Sequence, residues 1–297
     1  MTNKGLTMTM VFEAESANYG EGLCNISVLK KMIRGNGNAY TYISRQALRY
    51  SMIHQLNWED TPLKKDKNND KSPIQFAPEA NIIEHPEVDL FGYMKTESEK
   101  GALTRSAVVR LSNAISLEPY NADTDFLTNM GIAKRINAMN AIAQREIHHS
   151  YYCYTITIDL DRVGVDSNTP EVELPVAERA NRVCDFLETV HYLYRDIGAR
   201  RENLSPLFVV GGVYNRKNPY FENLVGYSNG ELDVRGIFSM IDDNTDVAEN
   251  TLCGITNGVF SNGDLIKKGF ESRSVHVSTV GEFFKAIMER VKAEYAE

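Results

Sequence analysis

The sequence predicts an α+β fold, an antiparallel sheet with helices packed on one face, and three observations predict it. Apolar residues alternate with period two near residues 6–12 and 151–160. Helical stripes lie between and after these runs, and one long stretch, 59–147, fits neither pattern. A chain of 297 residues, 42% hydrophobic and 24% charged, is long enough to bury a large core around such a sheet.

In "LTMTMVF", Leu6, Met8, Met10 and Phe12 alternate with Thr7, Thr9 and Val11, giving a strand with one wholly apolar face. "SRQALRYSMIHQL" follows as a helix, with Leu48, Met52 and Leu56 on one stripe and Ser44 as its N-cap. Residues 59–80, rich in Lys, Asn, Asp and Pro, read as an exposed, mobile loop. From there to about residue 147 the chain is too long for a connector, includes a helical "GIAKRINAMNAIAQRE", and reads as an insertion. "YYCYTITIDL" is a second strand. Tyr152, Tyr154, Ile156, Ile158 and Leu160 form one face; Cys153, Thr155, Thr157 and Asp159 form the other. Both strands are expected to keep one face on a core and one face available. "VAERANRVCDFLETVHYLYR" is a helix after Pro175, with Val176, Ala180, Val183, Leu187, Val190 and Tyr194 in line. "PLFVVGGVY" (206–214) is continuously apolar and therefore central. A last helix over 279–296 presents Phe283, Ile287, Val291 and Tyr295, and Thr279 with Glu282 has capping-box spacing. Strand, helix, later strand, then strand, helix, strand is the β-α-β-β-α-β order of ferredoxin-like and RRM domains.

Charge is distributed unevenly. The net charge is −8, yet no Asp or Glu occurs between Glu21 and Glu59, where average composition (40 acids in 297 residues) would supply about five. Lys30, Lys31, Arg34, Arg45 and Arg49 do occur there, so this segment carries +5 and the rest of the chain −13. Within "IRGNGNAYTYISRQALRY", Gly35 and Gly37 permit close backbone approach, and Asn36 and Asn38 suit a turn. Ser44 opens a helix whose first amides attract an anion, and Arg45 and Arg49 share one face of it. Tyr40 and Tyr42 are positioned to pack on sugars or bases, so the set suits a phosphodiester backbone. A second candidate is "VVGGVYNRKNPYFENLVGYSNGELDVRG" (209–236), read as a hairpin tipped by Arg216 and Lys217 with a turn at Asn229-Gly230.

Other chemistry finds little support. Cys24, Cys153, Cys184 and Cys253 are far apart with no C-x-x-C pair, and read as small buried hydrophobes. Adjacent His148 and His149 in a strand point to opposite faces, which does not suit a shared metal. "DDNTD" from Asp242 has Val247 and Cys253 where a calcium loop needs Gly and Glu; "DLDRVG" from Asp159 fails in the same way. No P-loop, G-x-G-x-x-G or G-x-S-x-G occurs, so no catalytic residue, metal or cofactor is assigned. No apolar run approaches the roughly 20 residues that span a bilayer, and the N-terminus lacks signal-peptide features; the expected location is the cytoplasm.

Taken together, "LTMTMVFEAESANYGEG", "RGNGNAYTYISRQALRY", "DLFGYM", "NAISLEPYNADTDF" and "YYCYTITIDLD" resemble the DevR-like branch of the backbone subunit family of type I-B CRISPR surveillance complexes (Cascade, RAMP superfamily). The resemblance covers most of the chain. It implies a modified RRM palm with finger and thumb insertions, whose copies polymerise along a guide (CRISPR) RNA and kink out bases at intervals. The guide then pairs with target DNA in antiviral defence, within a complex that includes other Cascade subunits. It implies that Ser44, Arg45, Gln46 and Arg49 face guide phosphate. The matching division is 1–58 as the first part of the palm, 59–147 as fingers, and 148–297 as the rest of the palm with a thumb at 209–236; the 85–145 insertion competes for the thumb. One rival function is a metal-dependent endoribonuclease of the RAMP type. The loop Gly22 to Ile43 has no carboxylate for a cation, and only Glu13, Glu15 and Glu21 lie upstream. The other is a transcriptional autoregulator, for which the readable helices supply no helix-turn-helix.

Overall fold

Nine strands form the central sheet of the computed structural model, which describes residues 3–15, 18–22, 25–65, 73–97 and 101–296. They are β1 (Gly5–Ala14), β2 (Lys31–Ile33), β3 (Ala39–Ile43), β4 (Val109–Leu111), β5 (Ala114–Ser116), β6 (Ser150–Asp159), β7 (Phe208–Tyr214), β8 (Thr251–Ile255) and β9 (His276–Ser278). Their order across the sheet is β9-β8-β7-β1-β6-β5-β3-β2, and β4 also pairs with β6. All neighbours are antiparallel except β8 and β9. β1 lies at the centre, in register with β6 from Gly5↔Asp159 to Ala14↔Ser150 and with β7 from Gly5↔Tyr214 to Val11↔Phe208.

One face carries α1 (Arg45–Leu56), α2 (Val176–His191) and α3 (Val280–Ala296). The alternating Leu6, Met8, Met10 and Phe12 meet Leu48, Met52, Val183, Phe186, Phe283 and Ile287 in one buried core, as their spacing requires. The caps match the sequence reading. Ser44 Oγ accepts from the Ala47 amide (3.3 Å), and Thr279 and Glu282 exchange bonds of 3.0 and 3.3 Å. α2 stops earlier than its stripe suggests. Tyr192 is its C-cap, Leu193 is buried, and Tyr194 begins a hairpin, Tyr194–Ile197 with Arg200–Asn203.

The second face of β1 is not available, which corrects the sequence reading. Thr7 and Thr9 are fully buried. Thr7 Oγ1 donates to Asn218 O (2.9 Å), and the Thr9 and Thr155 hydroxyls bond at 2.8 Å. A second core joins Val11, Phe208, Val210 and Tyr214 to Phe221, Leu232, Ile237, Ile266 and Phe270 from the chain after β7. Threonine tolerates this cover because its hydroxyl finds a partner. The open part of this face lies on β6, where Tyr151, Cys153 and Thr157 are only half-buried.

The stretch read as one insertion is divided. β4 and β5, three residues each, belong to the central sheet and separate 59–108 from a projecting hairpin at 117–149. The helix expected over "GIAKRINAMNAIAQRE" is mostly absent. Met130–Ala133 and Lys134–Ile136 form short turns, Asn137 enters the left-handed region (φ 50°), and Ile142–Glu146 pairs as a strand with Thr124–Thr128. In the loop read at 59–80, Leu63–Lys64 pairs with Gln75–Phe76 and Ala77 and Ala80 are buried; residues 66–72 lie outside the described residues, as does Cys24. The 209–236 candidate also changes character. Residues 208–214 are wholly buried as β7, and a Cβ on Gly211 would run into the Thr7 carbonyl, so the glycine pair serves close strand packing. Asn229 and Gly230 do form the expected turn, both at positive φ (52° and 85°), between strands Gly226–Ser228 and Glu231–Asp233. No helix among the described residues is long and apolar enough to cross a membrane.

Candidate functional site

The acid-free segment folds as β2, a tight turn, β3 and α1 along one edge of the sheet. Gly37 donates to Arg34 O (2.9 Å) at φ 79°. Asn36 closes the turn by accepting from the Asn38 amide (3.1 Å) and donating to Tyr40 Oη (3.0 Å). Tyr40 is buried beneath the Arg34 guanidinium, 5.1 Å from its ring centroid, so this ring does not face outward as its sequence position suggested. Tyr42 is half-buried and pairs with Ile115.

The N-terminus of α1 is clamped from two sides. Asn18 Oδ1 accepts from the Ser44 amide (2.8 Å), and Asn113 Oδ1, from the turn between β4 and β5, accepts from the Arg45 amide (2.9 Å). With Ala47 N already taken by Ser44, these helix amides are engaged internally. The cationic side chains are therefore the stronger anion-binding feature here.

Two grooves adjoin at the residues around Asn113. The first, about 390 Å³, is lined by Arg45, Gln46, Arg49, Phe91, Arg110 and Leu111. The second, about 330 Å³, lies on the open sheet face between Arg34, Ser112, Asn113, Cys153, Asn223 and the carboxylate of Glu222. Together they place Arg34, Arg45, Arg49 and Arg110 in the walls of two neighbouring grooves, an arginine track. Arg34 and Arg45 are exposed, Lys30 is half-buried, and none of the three forms an ion pair among the described residues. Lys31 is committed elsewhere: Glu146 holds its Nζ at 2.7 Å, above the Tyr120 ring. Arg49 donates Nη2 to Glu87 (2.8 Å), and Arg110 forms a two-bond fork with Asp159 (2.9 and 3.0 Å). Burial alone would raise the Asp159 carboxyl, but its bonds with Arg110 and the charges of Arg110, Lys217 and Arg162 hold it below the usual range. Lys217 pairs with Asp161 (2.5 Å), whereas Arg216 is exposed and unpaired among the described residues. Gln46 and Asn38 are both exposed, Asn38 beside a different cavity.

Sequence reading missed Arg110 and Asn113. Their signal is the short alternation in "VRLSN", too brief to mark a strand without its partner β6.

A third cavity, about 780 Å³, has the opposite character, with Glu15, Glu118, Asp123, His148 and His149 in its wall. Glu13 is paired with His149 (3.3 Å) and Glu15 with Arg200 (2.8 Å). No three His, Cys, Asp or Glu side chains converge to hold a metal among the described residues. His148 Nδ1 shares a 2.7 Å bond with Thr41 Oγ1, which also contacts Tyr152 Oη, linking β3 to β6. Burial holds the His148 pKa below its ordinary 6.5, partly offset by Glu118 and the Pro119 carbonyl; burial likewise lowers His191. A depressed histidine favours the folded state above the unfolded pKa and loses that contribution as pH falls through the folded value. Thermal stability should therefore decline between pH 7 and 5, and His148→Gln should flatten the decline. An equally steep decline in the variant rejects His148 as a contributor.

Comparisons with known proteins bear on the family and the fold. The family model for the CRISPR-associated negative auto-regulator DevR/Csa2 matches residues 6–231. A Myxococcus xanthus (strain DK1622) protein named CRISPR-associated protein Cas7/Cst2/DevR is 29% identical over 116 residues, 34% of this chain and 38% of that relative's length. One chain of a CRISPR RNA-guided surveillance complex in a pre-nicking state superimposes with TM-score 0.63 at 12% identity, covering 97% of this chain and 100% of its own. Another chain of a CRISPR RNA-guided surveillance complex gives 0.59 at 15%, covering 98% and 99%. Beside an arginine track in an acidic protein, these matches lead to one conclusion: the chain belongs to the DevR/Csa2 family of CRISPR-associated proteins.

Proposed function

We propose that the protein is a non-catalytic backbone subunit of a CRISPR surveillance complex. In this reading it binds the backbone of a guide RNA, assembles with further copies of itself and with other Cascade subunits, and presents the guide for pairing with target DNA. The observation that carries the reading is the track of Arg34, Arg45, Arg49 and Arg110 in two neighbouring grooves of a chain with net charge −8. Such a track suits phosphate contacts that position a single strand without reading its sequence.

The core is of the RRM type: β1, α1, the β4/β5 strand, β6, α2 and β7 follow in β-α-β-β-α-β order, with β7-β1-β6-β4/β5 side by side. Residues 59–108 then act as fingers. The hairpin at 124–146, within the competing location of the sequence reading, acts as the thumb in preference to 209–236. It exposes Phe126, Met130, Ile132, Ile136 and Met139 and carries Lys134 and Arg135 near its tip, a combination suited to wedging beside bases and gripping a neighbouring copy.

The test is one incubation of purified protein with labelled single-stranded RNA and Mg²⁺, resolved on native and denaturing gels. The expected result is a native shift with intact RNA that disappears as salt rises. Metal-dependent fragments would move the function to the RAMP-type endoribonuclease, with Glu13 and Glu15 the first carboxylates to change. No shift at any salt concentration rejects RNA binding by the isolated subunit.

A further inference from the structure

The groove at the start of α1 holds its arginines in two different electrostatic states. Arg45 forms no ion pair among the described residues. Arg49, one turn further on, gives Nη2 to Glu87 Oε1 at 2.8 Å and lies 4.9 Å from the Phe91 ring centroid. The two side chains are 35% and 13% exposed, so solvent screens this pair only in part.

Glu87 is not free to withdraw. It stands in the first turn of the short helix Pro86–Phe91, and the same helix carries Asp89, which is fully buried. Asp89 accepts from Arg105 Nη2 (2.8 Å), Arg182 Nη1 (3.1 Å) and the Gly164 amide (2.9 Å). Three separate parts of the chain thus pin the helix, and its Glu87 side chain is held against Arg49, behind the groove that Arg49 lines.

We infer that Glu87 is an internal counter-anion that competes with RNA phosphate for Arg49 and holds the groove's affinity below what its arginines would otherwise give. The inference rests on the guide-RNA reading above and adds a regulator to that site. An arginine neutralised from within adds little to the local potential and releases little counterion on binding. Arg49 should therefore contribute less to salt dependence than Arg45. Asp159 does not play the same part toward Arg110. It is almost wholly buried, serves Arg162 as well, and lies among several cations, so it is a fixed element of the fold.

The test is Glu87→Gln in the full chain, which removes the charge but keeps the shape and an acceptor for Arg49. Labelled single-stranded RNA is titrated at several salt concentrations against wild type, Arg49→Ala and the double variant, with melting temperatures recorded for each. The expected result is binding several-fold tighter at low salt, with a log–log salt slope steeper by up to about 0.7, the increment for one further phosphate on a single strand. The gain should vanish in the Arg49→Ala background. Unchanged binding in a folded Glu87→Gln protein overturns the inference, because no competition is relieved. Weaker binding also overturns it and assigns Glu87 the role of orienting Arg49. A gain that persists without Arg49 overturns it as well. If wild type and variants alike fail to bind RNA while remaining folded, the guide-RNA reading fails and takes this inference with it.

Discussion

Arg45→Ala combined with Arg49→Ala is expected to weaken binding of single-stranded RNA by more than tenfold and to flatten its salt dependence by about one unit of log–log slope. A charge-assisted hydrogen bond contributes roughly 1.5–3 kcal/mol, which is about ten- to a hundredfold in affinity for Arg45 alone. Arg49 adds less because Glu87 already neutralises part of its charge. The fold should survive. Arg45 is exposed, the Arg49 side chain is 35% exposed, and the α1 entry is fixed by Asn18, Asn113 and Ser44. Filter binding or fluorescence anisotropy at four or five salt concentrations reads both quantities at once. If affinity and slope both match wild type while the melting temperature is unchanged, the track does not bind RNA and the arginines are only a solvated face.

The extent to which sequence revealed this site follows from the range of each interaction. Local patterns were reliable: the alternation of Leu6 to Phe12, the Ser44 cap, the Thr279/Glu282 box and the Asn229-Gly230 turn each depend on residues within a few positions. The acid-free window folds as the sheet edge and helix entry that carry Arg34 and Arg45. Three features escaped because they depend on distant partners. β4 and β5 are too short to show a period and exist because β6 and β3 offer them edges. The second face of β1 is covered by chain more than 200 residues later, so alternating threonines looked exposed. Arg49 looked free because its acid partner stands 38 residues away, outside the very window that made the segment conspicuous. The hairpin at 124–146 escaped for a different reason. Its Ala, Met and Ile content favours a helix locally, and pairing between its own two arms outweighs that preference.

Asp89→Ala is expected to destabilise the protein by roughly 3–5 kcal/mol, the typical effect of stripping one partner from a buried ion network. Burial pushes this carboxyl above the usual carboxylate range, and the Gly164 amide and the Arg105 and Arg182 guanidiniums offset only part of that rise. The guanidiniums are 2% and 5% exposed, so losing Asp89 leaves Arg105 nearly dry with no carboxylate partner among the described residues and Arg182 with Glu178 alone. Arg105 would keep carbonyl partners at Asp89 itself, Arg162 and Val165, and Arg182 would keep the Ile82 and Ile83 carbonyls and the Glu178 carboxylate at 2.9 Å. The carbonyl bonds satisfy donors but do not cancel charge, so Arg105 bears the larger part of the loss. For a chain of this length the change corresponds to a fall of about 5–8 °C in melting temperature. A fall under about 2 °C means the network is dispensable. Replacing all three members by apolar residues of similar volume should recover most of the loss, because the desolvation of the ions disappears with them. The consequence for the groove separates the two outcomes further. Asp89 anchors the helix that holds Glu87 and Phe91 against Arg49, so Asp89→Ala should also free Arg49 in whatever fraction remains folded. RNA binding per folded molecule then rises as Glu87→Gln makes it rise, even while total stability falls. Both readouts moving together would tie the buried network to the site it supports.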